Sequence, residues 1–189
     1  MTDFKKDIQC CIETLQSGGL ILYPTDTIWG IGCDATNNSA VDKIFQIKKR
    51  PSKKTMILLV NSVEMVKQYV RTENDKLLNY LIKQKDATTG IFTDADNLPY
   101  SLIHEDGTIA IRITKDPFCK DLINLLGKPI VSTSANLSGN ASAALFREID
   151  PLIKQSVDYI VHHRRDDSKK AIPSHIVKID NNNELIFLR

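Results

Sequence analysis

The sequence predicts an α/β fold built on a twisted, mixed β-sheet flanked by helices, with a concave basic cleft. Two observations lead there. Short apolar runs that suit strands alternate with helical periods in the first half of the chain, and strand-like runs dominate the second half. The turn residues between them are glycines, prolines and capping side chains, placed where elements should stop.

The elements follow in order. Phe4, Ile8, Ile12 and Leu15 lie at helical spacing with Cys11 on the same face, and Gly18-Gly19 ends that helix. Leu20-Ile21-Leu22-Tyr23 is a buried strand closed by Pro24. Residues 24–34 read as a polar loop holding Gly30 and Gly32. Ser39 is the expected N-cap of a helix carrying Val41, Ile44, Phe45 and Ile47, and Pro51 stops it near Arg50. Residues 55–60 form the next strand, and residues 63–70 and 76–82 two helices. Residues 88–93 suit a strand and 94–99 a loop. Residues 108–114 alternate Ile109, Ile111 and Ile113 with Ala110 and Arg112, the period of a half-buried strand. Asp116-Pro117 opens a helix that runs to Leu126 and is closed by Gly127. Residues 129–132 form a strand running into a small-residue loop, 133–142. Three more strands are expected at 158–161, 175–179 and 184–188. No linker divides the chain, so residues 1–189 are expected to form a single domain.

Composition narrows the function. Of 189 residues, 42% are apolar and 25% charged, an ordinary globular balance. Lys plus Arg number 25 and Asp plus Glu 23, a net charge of +2. Binding that rests on overall charge is therefore excluded, while a local basic cleft is not. The longest apolar run, Met56-Ile57-Leu58-Leu59-Val60, is far too short to span a bilayer. The first residues carry acids and no apolar stretch, so no signal peptide is expected and the location is cytoplasmic. Cys10, Cys11, Cys33 and Cys119 form no C-x-x-C pair and have no histidine at ligand spacing, so they read as small buried hydrophobes and no protein-bound metal is expected.

Three clusters bear polar chemistry, and the phosphate-loop, dinucleotide, nucleophile-elbow and zinc-protease motifs are all absent. Tyr23-Pro24-Thr25-Asp26-Thr27-Ile28-Trp29-Gly30-Ile31-Gly32 follows a strand, where open α/β sheets place ligands. A plain turn, with Trp29 filling core, fits that segment equally. Lys48-Lys49-Arg50-Pro51-Ser52-Lys53-Lys54 holds five cations in seven residues. It suits a polyphosphate if Lys48 and Arg50 converge, and a basic helix end otherwise. Ser132-Thr133-Ser134-Ala135-Asn136-Leu137-Ser138-Gly139 brings hydroxyls and an amide to a strand end. Without a partner histidine these read as binders of an anion, or as an ordinary turn. Arg112, on an apolar strand, either snorkels at an edge or faces a cleft. His162-His163-Arg164-Arg165 reads as a solvated strand end, and His104 and His175 carry no assigned role.

Together these stretches resemble the Sua5/YciO/YrdC family, in particular its short single-domain members. The match lies in Y-P-T-D-T-I-W-G-I-G from Tyr23, K-x-R-P at Lys48, Arg50 and Pro51, and P-I-V-S-T-S-A-N-L-S-G from Pro129 to Gly139. The resemblance implies a YrdC-like fold and an L-threonylcarbamoyladenylate synthase, a nucleotidyltransferase. Such an enzyme joins L-threonine, bicarbonate and ATP, with Mg²⁺, into threonylcarbamoyl-AMP and pyrophosphate for the t6A37 modification of tRNA. It implies a signature of Lys48, Arg50, Ser134 and Asn136. It implies threonine contacts at Thr27, Arg112, Ser132 and Ser174, and ATP contacts at Arg50, Lys54, Thr108, Ser134, Ser142 and Arg189. Lys54 stands where the family usually shows Asn, Ala87-Thr88-Thr89-Gly90 replaces its P-G-P-x-T, and Pro173-Ser174-His175 replaces its E-S-T. The implied partners are these small substrates and a downstream t6A transferase machinery, with no membrane. Two other readings remain: a double-stranded RNA or tRNA-binding module, and a YciO-like paralogue of different activity. No aromatic residues alternate with the cations as an RNA-stacking surface needs.

Overall fold

The computed structural model describes residues 4–48, 56–71 and 75–189. Helix α1 (Lys5–Gln16) buries Asp7, Ile8, Cys11 and Leu15, one stripe of its surface. It ends where Gly18 turns to φ +76°, its N–H bonding Leu15 O. Strand β1 (Ile21–Tyr23) follows, fully buried.

The expected loop is shorter than read from the sequence, because Gly30–Asp34 is strand β2. It pairs antiparallel with β1, with Tyr23 opposite Gly30 and Ile21 opposite Gly32. Glycine here is a packing necessity. A Cβ on Gly32 would stand 2.6 Å from the Tyr23 ring and 2.8 Å from Val131 O.

Helix α2 (Asn38–Lys48) begins earlier than expected. The Asn37 carboxamide, rather than Ser39, accepts the N–H of Ala40. Strand β3 (Ile57–Val60), helix α3 (Val63–Tyr69), helix α4 (Asp75–Lys83) and strand β4 (Thr88–Phe92) lie close to their expected places. Ser62 caps α3 by accepting the Met65 N–H. Strand β5 (Ile109–Ile113) departs from a half-buried pattern, since Ala110 and Arg112 are as buried as Ile109 and Ile111. It is an interior strand, paired with β3 on one side and β4 on the other.

Helix α5 (Pro117–Leu126) has Asp116 accepting the Cys119 N–H, Pro117 in its first turn and Gly127 at φ +70°. Strand β6 (Ile130–Ser134) runs two residues further than expected. Helix α6 (Pro151–Gln155), capped by Asp150, was not anticipated by the sequence. Strands β7 (Tyr159–Ile160), β8 (His175–Ile179) and β9 (Leu185–Phe187) complete the fold.

The nine strands among the described residues join one sheet, ordered β7-β1-β2-β6-β3-β5-β4-β8-β9. The pairs β1–β7, β3–β5 and β4–β8 are parallel and the rest antiparallel, so the sheet is mixed. Helix α1 packs on β1, β2, β7 and α5, α2 on β2, α3 on β3 and β5, and α4 on β4 and β5. Cys11, Cys33 and Cys119 are buried as expected of small hydrophobes, but Cys10 is only half-buried. No helix among the described residues is long and apolar enough to cross a membrane.

Of the segment His162-His163-Arg164-Arg165, read from the sequence as a solvated end, the His162 side chain is exposed, but the other three are half-buried and anchored. Buried Asp7 accepts the backbone N–H groups of His162 and His163 and the Tyr159 hydroxyl. Arg164 Nη1 donates to Thr25 O and to Asp116 Oδ2, each at 3.0 Å. Arg165 donates to the carbonyls of Ile160 and Val161 and lies over the Phe146 ring. These residues fasten the chain after β7 to α1 and to the loop after β1.

Candidate active site

Register builds the floor of a cleft. Ser132 stands opposite both Gly32 and Ile57, Ile57 opposite Ala110, and Ala110 opposite Ile91. Directly paired residues share a sheet face, so Ser132, Ile57, Ala110 and Ile91 form one row across β6, β3, β5 and β4. Arg112, two residues on from Ala110, lies on the same face. The cleft over this row has a volume of about 390 Å³. Thr27, Ile28, Trp29 and Gly30 wall one side, Pro173, Ser174, Ile176 and Arg189 another, and Thr133, Ser134 and Ser142 complete the rim.

Seven residues singled out in the sequence therefore share one space: Thr27, Arg112, Ser132, Ser134, Ser142, Ser174 and Arg189. Their local supports are hydrogen bonds. The Thr25 hydroxyl accepts the Thr27 N–H, donates to Ile28 O, and lies 3.0 Å from the Thr27 hydroxyl. The Ser174 hydroxyl is 2.8 Å from that of buried Thr89. Arg189 Nε donates to Ser174 O at 3.1 Å, tying the chain end to the rim.

Arg112 is 3% exposed, so it faces inward and does not snorkel. Its Nη2 is 3.1 Å from Asp26 Oδ1. Among the described residues its Nε has no hydrogen-bond partner. Beside it, burial pushes the Tyr23 phenol well above its ordinary range, so that ring remains neutral.

Lys48 and Asn136 sit behind the rim rather than in it. Lys48, at the end of α2, is buried, and its Nζ donates to Ser134 O at 2.5 Å and to Asn136 Oδ1 at 3.0 Å. Asn136 Oδ1 also accepts the Ser134 hydroxyl, and its Nδ2 donates to Asn140 O. The Asn136 side borders a second cavity, with Asn140, Arg147 and Lys154. The loop after β6 is thus pinned to α2 by a buried ammonium.

Thr108 does not line the cleft. Its hydroxyl donates to Asp106 Oδ1 at 2.6 Å and its N–H to the same oxygen, an Asx turn before β5. Arg50 and Lys54 lie outside the described residues. Among those described, the cations lining the cleft are Arg112 and Arg189, and hydroxyls dominate the rim. The basic cleft expected from the sequence is therefore not seen among the described residues. Sequence reasoning missed Thr89, the Asp26–Arg112 pair and the Arg164 clamp. A carboxylate in one motif and an arginine on a distant apolar strand were the available signal for the pair.

A family model named Sua5_yciO_yrdC, with the description telomere recombination, matches residues 13–189. The threonylcarbamoyl-AMP synthase of Pseudoalteromonas translucida is 36% identical over 157 residues, covering 82% of this chain and 84% of that protein. The threonylcarbamoyl-AMP synthase of Xanthomonas axonopodis pv. citri is 33% identical over 164 residues, covering 85% and 87%. Among solved structures, P. abyssi Sua5 complexed with L-threonine superposes with a TM-score of 0.85 at 21% identity, over 98% of this chain and 54% of that one. E. coli YciO gives 0.83 at 23% identity, over 98% and 89%. The chain spans about half the length of that Sua5 chain and most of the YciO chain, and both likenesses speak to the fold. With a family match from residue 13 to residue 189 and relatives above 30% identity over four-fifths of its length, the chain belongs to the Sua5/YciO/YrdC family.

Proposed function

We propose that this chain is an L-threonylcarbamoyladenylate synthase, a single-domain nucleotidyltransferase. The observation that carries the reading is convergence. Five separated segments bring hydroxyls and two guanidinium groups to one cleft beside a lysine-pinned loop, in a chain about a third identical to relatives of that name.

The reaction balances as follows. The threonine amine takes up the carboxyl unit of bicarbonate with loss of water, giving a carbamate. A carbamate oxygen then bonds to the α-phosphorus of ATP, and the bond to the bridging oxygen of pyrophosphate breaks, that oxygen keeping the electron pair. Such a transfer needs no covalent enzyme intermediate. It needs reactants held in line and donors where phosphate charge accumulates.

The chain's residues fit those tasks. Arg112, which lines the cleft, offers a planar guanidinium to the amino-acid carboxylate. Thr27, Ser132 and Ser174 surround the rest of the amino acid. Ser134, Ser142 and Arg189 face the nucleotide, and Lys48 and Asn136 hold Ser134 in place. By the family resemblance, Arg50 and Lys54 would add positive charge at the triphosphate. Among the described residues no three His, Cys, Asp or Glu side chains gather at a metal site. Mg²⁺ would therefore arrive on the triphosphate as part of the substrate, where it neutralises phosphate charge. The product would supply the threonylcarbamoyl group to a tRNA t6A transferase in the cytoplasm.

The test is purified protein with ATP, Mg²⁺, bicarbonate and L-threonine. Pyrophosphate release that depends on both threonine and bicarbonate, with the mixed anhydride detected by mass, is expected. Release independent of threonine, or none, would overturn the reading.

A further inference from the structure

Arg112 is buried in a cleft of hydroxyls and apolar side chains, where a lone guanidinium would be costly. The carboxylate that balances it is Asp26, 3.1 Å from Nη2 and itself only 15% exposed. The contact is one of charge rather than an aligned hydrogen bond. Asp26 Oδ1 and Arg112 Nε are both buried, and among the described residues neither has a hydrogen-bond partner. Arg112 lines the cleft, and Asp26 stands against it, next to the lining residue Thr27. Asp26 cannot drift to satisfy itself, because its neighbours are fixed. Thr25 is bonded to Thr27 and Ile28, and Arg164 grips the Thr25 carbonyl while pairing with Asp116.

Opposite charges held side by side in a low-dielectric wall favour a ligand that carries both charges itself. A bare carboxylate gains Arg112 but is repelled by Asp26. A zwitterion gains on both counts. We propose that Asp26 is a positioning and selectivity residue, making this end of the cleft a receptor for a zwitterionic α-amino acid rather than for a simple carboxylate. The proposal rests on the reading of Arg112 as the amino-acid carboxylate site.

The experiment measures binding of L-threonine and of 3-hydroxybutyrate, the same skeleton without its amine, by calorimetry on the full chain. In Asp26→Asn the preference for threonine over the hydroxy acid should fall about tenfold or more, from weaker threonine and tighter hydroxy-acid binding. The KM for ATP should not move. Asp26→Glu, which keeps the charge, should keep the preference even where threonine binds less tightly. It also serves as the test should the asparagine variant not fold. Equal losses for both ligands, or an unchanged ratio, in Asp26→Asn would overturn the proposal alone. A collapse of the ratio in Asp26→Glu would overturn it as well. A wild-type protein that binds no threonine would overturn both the proposal and the functional reading beneath it.

Discussion

Replacing Gly32 by alanine tests how tightly the centre of the sheet is closed. The new Cβ would stand 2.6 Å from Tyr23 Cε1, 2.8 Å from Val131 O and 3.0 Å from Ile130 Cγ2. Carbon contacts are comfortable at about 3.5–4.0 Å, so each neighbour must retreat by roughly half an ångström or more. Neither of the two nearest can do so easily. The Tyr23 ring is fully buried, and Val131 belongs to β6, which is paired on both sides. Overpacking of this kind costs about 1–3 kcal/mol, and two unyielding neighbours place Gly32→Ala near 3 kcal/mol. At about 2–4 °C per kcal/mol for a chain of this size, Tm should fall by roughly 6–12 °C. Activity should fall too, because β6 carries Ser132 and Ser134. Gly127→Ala is the control. Gly127 sits at φ +70° with nothing within 4 Å of its Cβ position, so only backbone strain of about 1 kcal/mol is expected, with turnover intact. Thermal melts followed by circular dichroism and pyrophosphate release would measure both variants. If Gly32→Ala melts no lower than Gly127→Ala, the close approach described here is wrong.

Three further outcomes can be checked on the same preparation. Lys48→Met keeps the aliphatic stem but strips the donors to Ser134 O and Asn136 Oδ1; stability should fall by about 1–3 kcal/mol and turnover by about 100-fold or more, and near-normal turnover would show that the loop holds itself. Arg112→Lys replaces a fork by a point charge, so the KM for threonine should rise about tenfold while the KM for ATP stays put; equal rises in both would indicate general damage. Burial alone would raise the Asp7 pKa, but hydrogen bonds from His162, Tyr159 and His163 outweigh it and hold the carboxyl below its ordinary value. A depressed folded pKa stabilises the fold above about pH 4, and that contribution is lost as pH falls through the folded value. Asp7→Asn should therefore be less stable than wild type at pH 7 in urea titrations, with the gap beginning to close below about pH 5 and closing further as pH falls through the folded value; a constant gap would mean the charge is not its source.

How much of this was legible in the sequence depended on where each element's reasons lie. Helix α5 was readable end to end, because Asp116, Pro117 and Gly127 are local signals that act within one turn. Helix α6 carries the same Asp-Pro opening, but its five residues are too few to show a hydrophobic period. Strand β2 was hidden because glycine inside a strand looks like a loop until one sees Tyr23 and Val131 pressing on it. The histidine and arginine run after β7 looked solvated because its partners, Asp7, Thr25 and Asp116, lie from about 50 to 150 residues away in sequence. The cleft was legible in its residues but not in its layering. The motifs named Ser134 and Asn136 together, whereas the structure puts Ser134 on the rim and turns Asn136 behind it. Which way Arg112 faces was undecidable without the sheet order that places β5 between β3 and β4.

The charge layout of the cleft separates its two proposed substrates. At the Arg112 end the cation is matched by Asp26, so the local charge is near zero and a zwitterion adds none. Toward Ser134 the balance tips the other way, since Lys48 lies behind the loop and Arg189 lines the rim. A triphosphate bound there would draw on the exposed Arg189 and, on the proposed reading, on Arg50 and Lys54. Added salt screens exposed charges over about 8–10 Å at ordinary ionic strength and over about 3 Å near 1 M, while a buried pair is screened far less. Raising sodium chloride from about 0.05 to about 0.5 M should then increase the KM for ATP several-fold and leave the KM for threonine within about twofold. An equal rise in both would mean that threonine too is held by exposed cations, and that the Asp26–Arg112 pair is not where the amino acid docks.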